Sequence, residues 1–402
     1  MSALPEGWVE NTLGEVANIL GGFAFKGKDF SADIGIPIIK IKDIRPPYVD
    51  VESANRVNID NYNLDKVKKF LLSKGDFLIA MTGATIGKVG RMTSDTPAYL
   101  NQRVAKVDDI KGVSHKGFLY HVILSDNFEK FIDNVSSGSS AQQNVSATDI
   151  GQYPVLFPPL PEQKAIADIL SSFDEKIELL REQNKTLETL AQTIFKEWFV
   201  NFNYPDATGE IVDSELGEIP KGWRVGTLRD VVDIFDSKRI PLSSNERQKR
   251  QGIYPYYGAT KAMDYIDDYL FDGTYLLMAE DGSVMDNNGY PFLQYVWGRF
   301  WVNNHTHILQ GKNGYSTEAL YVFLKRRKVA SIVNGAVQLK INQTNLMSFE
   351  ILLPADKALQ KFNELLQPIF DKVKNNKSQI KELSKTRDTL LPKLMSGEVR
   401  VA

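Results

Sequence analysis

The sequence predicts an α+β fold: two mixed α/β globular halves, copies of one another, separated by two long helices that pair as a coiled coil. Three observations carry this. Within Pro161–Phe199 apolar residues recur at alternating steps of four and three: Ile166, Leu170, Phe173, Ile177, Leu180, then Asn184, then Leu187, Ala191, Ile194 and Trp198. The same stepping returns from Leu359 through Phe362, Leu366, Ile369, Val373, Asn376, Ile380, Leu383, Arg387, Leu390 and Leu394, again with one Asn in the seam. Sustained heptads mark helices that pair, and a lone Asn at a core position fixes register at some cost in stability. Third, LPEGWVENTLGEVANIL (Leu4–Leu20) recurs as IPKGWRVGTLRDVVDIF (Ile219–Phe235), with Pro5/Pro220, Gly7/Gly222, Trp8/Trp223, Thr12/Thr227 and Leu13/Leu228 in step.

Taken in order, residues 1–160 form the first globular half and 161–200 the first heptad helix. Residues 201–218 form a connector, 219–354 the second half and 355–402 the second helix. In the first half IPIIKIKDI (Ile36–Ile44), FLIAM (Phe77–Met81) and QRVAKV (Gln102–Val107) read as strands bounded by Gly, Pro and Asn. In the second, YLLMA (Tyr275–Ala279), LQYVW (Leu293–Trp297) and THILQ (Thr306–Gln310) do the same. One helix per half is expected, over Lys116–Asn134 and Ser316–Val333. VLFP (Val155–Pro158) and ILLP (Ile351–Pro354) close the halves. Pro161 suits the first turn of a helix, and Glu162 its positive end. Pro368 should break the second helix, because it removes a donor and clashes with the preceding turn. Ser171-Ser172 predicts a matching joint in the first. The acidic stretch Asn201–Glu218 has no period and reads as a linker. Helix pairing is expected through Phe173, Ile177, Leu180, Asn184, Leu187 and Ile194 on one side, and Val373, Asn376, Ile380, Leu383 and Leu390 on the other.

Composition narrows the function. A chain of 402 residues exceeds one core. Its 43% apolar and 24% charged residues are ordinary for a globular protein. The absence of Cys excludes a disulfide framework and a thiolate metal site, and a reducing cytoplasm is expected. MSALPEGW lacks the basic and apolar regions of a secretory signal, and no apolar run reaches membrane-spanning length. Lys plus Arg minus Asp plus Glu is −1 over 1–160, −3 over 161–200, −5 over 201–218, +3 over 219–354 and +4 over 355–402. The two heptad helices thus carry opposite charge, which favours pairing with each other.

Catalytic motifs fail on inspection. Arg45-Pro46-Pro47-Tyr48 resembles the Pro-Pro loop of amino-group DNA methyltransferases, yet Arg offers only donors where that loop needs an acceptor. GATIGKV (Gly83–Val89) is one residue short of a P-loop and ends on Val89. Glu162-Gln163-Lys164 mimics a nuclease pair but opens a heptad helix, where capping and surface roles suffice. His305-x-His307 has a spacing that a metal could use, but with four His in the chain and no clustered carboxylate expected near the pair, the two read as strand histidines.

Binding loops remain. Basic, amide and aromatic residues collect between the strands: Lys26, Lys28, Lys40, Lys42, Lys88, Arg91, Gln102 and Arg103, then Ser139, Gln142 and Gln143 in SSGSSAQQNVS (Ser136–Ser146). The second half offers Lys238, Arg239, Arg247, Lys249, Arg250, Tyr257, Lys261, Asn303, Gln338 and Lys340. Arg, Lys, Gln and Asn read base edges, while Lys and Ser hold phosphates. These are the DNA-binding candidates; no catalytic or metal-ligating residue is assigned.

The order of segments, together with PPLPEQKAIADIL (Pro158–Leu170), FKEWF (Phe195–Phe199), DSELGEIPKGW (Asp213–Trp223) and GSSAQQNVS, resembles a specificity (S) subunit of a type I restriction-modification system. The resemblance covers the whole chain. It implies that the helices pair antiparallel about a pseudo-twofold axis, and that the halves are target-recognition domains. Each domain would read one half of a bipartite, asymmetric DNA site from the major groove. A helix of about 28 residues spans about 42 Å and would set the unread spacer. The chain would be non-catalytic and hold no cofactor. S-adenosylmethionine, ATP and Mg²⁺ would belong to two modification (methyltransferase) and two restriction subunits, its partners with double-stranded DNA. Leftover apolar helix surface, including Trp198 and Phe199, is the candidate for modification-subunit contact, with core packing as the equal alternative. Rival readings are a two-headed protein–protein scaffold without DNA readout, and one half of a fused methyltransferase-nuclease, which needs a catalytic domain in the same chain.

Overall fold

A computed structural model describes residues 4–137, 144–335 and 338–401. The chain divides into two compact units, Met1–Leu179 with Gln379–Ala402, and Leu180–Ser378. Each unit therefore combines one globular half with a stretch of both long helices.

In the first unit a six-stranded sheet runs in the order Ala17–Gly21, Val104–Asp109, Phe77–Ala80, Val89–Arg91, Tyr48–Val49, Ile44–Arg45. Five shorter strands form a second sheet around Ile36–Ile39 and Ala98–Leu100. Ile38, Leu72, Leu78, Ala80 and Leu100 are buried in one apolar cluster, while Ile79, Ala105 and Val107 belong to another beneath the helices. Alternate residues of the Phe77–Ala80 strand thus serve opposite faces, as the period of two requires. In the second unit the sheet order is Val232–Ile234, Thr306–Gly311, Phe271–Ala279, Leu293–Val302, Gln251–Tyr257, Ala262–Ile266.

The repeated sequence ends have a structural reason. Val9–Thr12 pairs antiparallel with Pro154–Phe157, and Arg224–Thr227 with Glu350–Leu353. Each ribbon closes its globular half and delivers the chain into a long helix. Thr12 with Glu15, and Thr227 with Asp230, form capping boxes on the short turn that follows.

The heptad stretches form helices Leu160–Phe199 and Asp356–Met395, 40 residues each and longer than the sequence estimate. Their pairing is antiparallel within each unit taken alone. In the first unit Asp174 Oδ1 accepts from Arg387 Nη1 at 2.5 Å, and Glu162 Oε1 from Arg400 Nε at 2.6 Å. In the second unit Asn184 meets Asn376, while Phe199 packs edge-on against Phe362 at 4.7 Å. The expected seam is buried or half-buried throughout: Phe173, Ile177, Leu180, Leu187 and Ile194 on one helix, Val373, Ile380, Leu383 and Leu390 on the other.

The two lone asparagines find each other. Asn376 Nδ2 donates to Asn184 Oδ1 at 3.0 Å, with the residues 0% and 7% exposed. Asn376→Leu is expected to cost about 1–3 kcal/mol by stranding Asn184. The double change Asn184→Leu with Asn376→Leu should recover that loss, because an apolar pair suits the seam better than a polar one. Urea unfolding of the cycle checks both; equal costs for single and double variants would count against the pairing.

Several sequence expectations need correction. Pro368 does not break its helix. The position is exposed, so the carbonyl it deprives, on exposed Glu364, faces water, while buried Leu366, Phe370 and Val373 hold the helix on the core. No joint occurs at Ser171-Ser172; Ser172 Oγ donates to Ile169 O inside the helix. Lys116–Asn134 is two helices, Lys116–Ile123 and Asp126–Ser137, with Ser125 Oγ accepting from Phe128 N at the break. Ser316–Val333 is helical only over Thr317–Leu324, with a further turn at Ala330–Ile332. The Ile36–Ile44 run is strand over Ile36–Ile39 and then turns through Ile41–Asp43. The connector is not wholly linker: Ile211–Ser214 and Gly217–Pro220 form a hairpin, and Phe202 and Tyr204 pack on Trp223. Phe199 lies in the core at 8% exposure and is not left over as a docking surface, while Trp198 packs beside it and stays half-buried.

Glu162 is likewise no surface cap. Trp8 Nε1 donates to it at 3.0 Å, and Arg400 grips both of its oxygens. Gln163 is fully buried, accepting from His115 N and donating to Pro158 O. The nuclease-like triplet is a tie between the helix start and the two ends of its unit.

Candidate nucleic-acid interface

Both sheets end in the same construction. In the first unit the central strand Phe77–Ala80 runs out at Met81. Its N–H donates to Arg103 O and its carbonyl accepts from Val145 N, both at 2.9 Å. Thr82 bridges Asn144. In the second unit the strand Phe271–Ala279 runs out at Glu280, whose N–H donates to His305 O at 2.9 Å and whose carbonyl accepts from Ile341 N at 2.8 Å. Asp281 bridges Lys340. Thus Asn101-Gln102-Arg103 answers Asn303-Asn304-His305, and Asn144-Val145 and Lys340-Ile341, which precede the short helices Ala147–Gly151 and Gln343–Met347, sit beside the central strand. This correspondence was present in the sequence as Asn-x-Arg and Asn-x-His, each preceding a strand.

Around the first strand end gather the turns at 22–29, 40–43, 82–88 and 101–103. Gln102 N donates to Phe23 O at 2.8 Å, and Asn101 N to Ile39 O at 3.2 Å. Only glycine fits at Gly22, where a Cβ would meet Asn101 O at 2.0 Å. The turns present Lys26, Lys28, Lys42, Lys88, Gln102 and Arg103, all exposed. Of these, Lys42 alone reaches an acid among the described residues, Asp43 at 3.8 Å. Lys40 is spent on structure: its Nζ donates to Asn55 and lies 3.8 Å from the Phe30 ring centroid. Burial there, with repulsion from Lys42, holds its ammonium below the ordinary pKa. Arg91 pairs with Phe77 at the other end of that strand and does not join this group.

At the second strand end the exposed members are Lys238, Lys261, Gln338 and Lys340; Lys340 also reaches Glu280 at 3.3 Å. Tyr257 and Asn303 lie beneath them. The Tyr257 carbonyl accepts from Asn303 N, its ring packs on Phe300, and burial raises its hydroxyl pKa. Asn303 Oδ1 accepts from His305 N.

Arg239 has a different task from the one its type suggests. Its Nη1 donates to Glu280 Oε2 at 2.5 Å and to Thr306 O at 2.9 Å, and its Nε donates to Asp236 O. Arg247, Lys249 and Arg250 sit at the far end of the Gln251–Tyr257 strand. Arg247 is taken up by Asp264 and Leu242 O, and Arg250 by Asp267 and Asp268; Lys249 stays exposed. Ser139, Gln142 and Gln143 lie outside the described residues.

One group among the described residues offers metal-type ligands within 4.8 Å of one another: Asp236, Glu280 and His307. The Arg239 guanidinium already supplies the cation there. His307 is engaged at both ring nitrogens, Nδ1 to Asp236 Oδ2 at 2.5 Å and Nε2 to Ile341 O at 2.8 Å. The cluster fastens three turns together rather than presenting a site. Each strand end therefore offers exposed cations and amides on a rigid base, the equipment for phosphates and base edges.

A family profile described as type I restriction modification DNA specificity domain matches residues 5–189 and 220–385. The chain is 28% identical to the type I restriction enzyme MjaIX specificity subunit of Methanocaldococcus jannaschii, over 99% of this chain and 95% of that protein. It is 21% identical to the HindI specificity subunit of Haemophilus influenzae, over 98% and 99%. The crystal structure of an S subunit of a type I restriction-modification system from M. genitalium shares the fold, with a TM-score of 0.59 at 16% identity, covering 98% of this chain and 97% of that one.

Proposed function

The chain belongs to the type I restriction-modification DNA specificity family, and from that premise we propose that it supplies the DNA address of a restriction-modification complex. It is a non-catalytic component. Each globular half reads one half of a bipartite, asymmetric site through the turns at the end of its central strand, and the paired helices set the unread spacer. The observation that carries this is the repeated construction with unlike side chains. Lys26, Lys28, Lys88 and Arg103 crown one strand end, while Lys238, Lys261, Gln338 and Lys340 crown the other. Similar strand-end scaffolds with different readers give two different half-sites. The partners are double-stranded DNA and the modification and restriction subunits, two of each. Those subunits bring S-adenosylmethionine, ATP and Mg²⁺; the place of work is the cytoplasm. No helix among the described residues is long and apolar enough to cross a membrane.

The test is adenine-methylation mapping in a methylation-free host that expresses this chain with its modification subunit. A motif of two unlike short half-sites around a fixed spacer, lost when this chain is omitted, is the expected result. Co-purification of the two proteins without any methylation would favour a protein scaffold instead.

A further inference from the structure

Among the exposed cations of the first strand end, one has a chemistry and a setting unlike the rest. Arg103 is a guanidinium, a planar fork, where Lys26, Lys28, Lys42 and Lys88 are point charges. Its backbone stands at φ +69, in the left-handed region that glycine and asparagine occupy at less cost. The setting is rigid: Arg103 O accepts from Met81 N, Gln102 N donates to Phe23 O, and Val104 N donates to Asn101 O. The side chain is exposed and has no hydrogen bond or ion pair among the described residues. The equivalent residue of the second unit, His305, differs in this respect. Its Nδ1 lies 2.7 and 2.9 Å from the two Asp281 carboxylate oxygens, so its polar group is already held within the protein. The first unit thus carries an exposed fork, without a partner among the described residues, on a pinned backbone at the position where the second holds a carboxylate-bound imidazole.

We propose that Arg103 is a specificity-determining residue that reads guanine, donating two hydrogen bonds to O6 and N7 in the major groove. The pairing follows from geometry: the fork matches the two adjacent acceptors of guanine, and no other base presents that pair. The flanking lysines supply phosphate contacts, which position without specifying. This assignment rests on the reading under Proposed function and deepens it by naming one base in one half-site.

The experiment maps adenine methylation by the complex of this full chain with its modification subunit, comparing the wild type with Arg103→Asn and Arg103→Lys. Asparagine tolerates the left-handed backbone, so the thermal midpoint should not fall. The expected result is that Arg103→Asn relaxes the preference at one G·C position of one half-site by roughly 5- to 150-fold, with the other half-site and the spacer unchanged. Arg103→Lys should relax the same position, since a single ammonium keeps the charge but lacks the fork. An unchanged motif with Arg103→Asn overturns the proposal. So does a uniform fall in methylation at all sites that Arg103→Lys restores, which would make Arg103 a phosphate contact. A wild-type complex that methylates no bipartite motif overturns the specificity reading itself, and this assignment with it.

Discussion

Arg239→Met is expected to destabilise the second unit by about 3 kcal/mol, read as a lower urea midpoint with little change in slope. The guanidinium is only 15% exposed and stands against Glu280 and Asp236, themselves 12% and 7% exposed. Removing it leaves two carboxylates close together with one buried imidazole and, at the rim, the Lys340 ammonium 3.3 Å from Glu280. The cost comes from the stranded acids rather than from a lost attraction, since truncating one partner of a buried pair exposes the other's desolvation. Arg239→Met combined with Glu280→Gln should therefore recover much of the loss. Methylation of the half-site read by this unit should weaken with stability, because Asp236, Glu280 and His307 fasten the turns that carry Lys238, Lys340 and His305. If Arg239→Met leaves the urea midpoint in place and removes methylation alone, Arg239 contacts DNA and the fastening role is wrong.

The same residue shows what a sequence can disclose. Arg239 reads as a DNA candidate because it follows Lys238 in a loop; its true partner, Glu280, is 41 residues away and gives no local sign. Glu162 reads as a helix cap for the same reason, since Trp8 and Arg400 approach it from opposite ends of the chain. The heptad helices were legible because their signal is periodic and local, and even the meeting of Asn184 with Asn376 was implied by one polar interruption in each seam. Pro368 misled because propensity is a weak prior where a buried face already holds the helix. The halves were recognisable from their ends, which form one ribbon in each unit, yet the strand ends of the candidate interface left only the short Asn-x-Arg and Asn-x-His as a sign. They join residues such as Met81, Arg103 and Val145, brought together only by strand pairing, and differing loop lengths hid the match of Arg103 with His305.

Acid should loosen the first unit through His121. This ring is 2% exposed, and its Nε2 has no hydrogen-bond partner among the described residues. Burial first, then the nearby Arg387 and Arg91 charges, push its pKa down to about 3 from the ordinary value near 6.5. Above pH 6.5 the ring is neutral whether the chain is folded or not, and contributes no pH dependence. Below that, the unfolded chain binds a proton that the folded one refuses, so stability falls as pH drops from 6.5 toward 3. The loss is about 2 kcal/mol at pH 5. Carboxylates held low by hydrogen bonds, such as Asp149 against Ser146, titrate at lower pH, while Asp43, whose pKa burial raises, acts in the opposite sense and cannot produce the decline. His121→Leu should flatten the decline there, measured by urea unfolding and by hydrogen exchange in peptides covering 116–137. Arg387→Gln should flatten it less, because burial is the larger cause, and Arg387 also donates to Asp174 in the helix seam. A His121→Leu protein with the wild-type acid slope would mean that the decline comes from elsewhere in the unit.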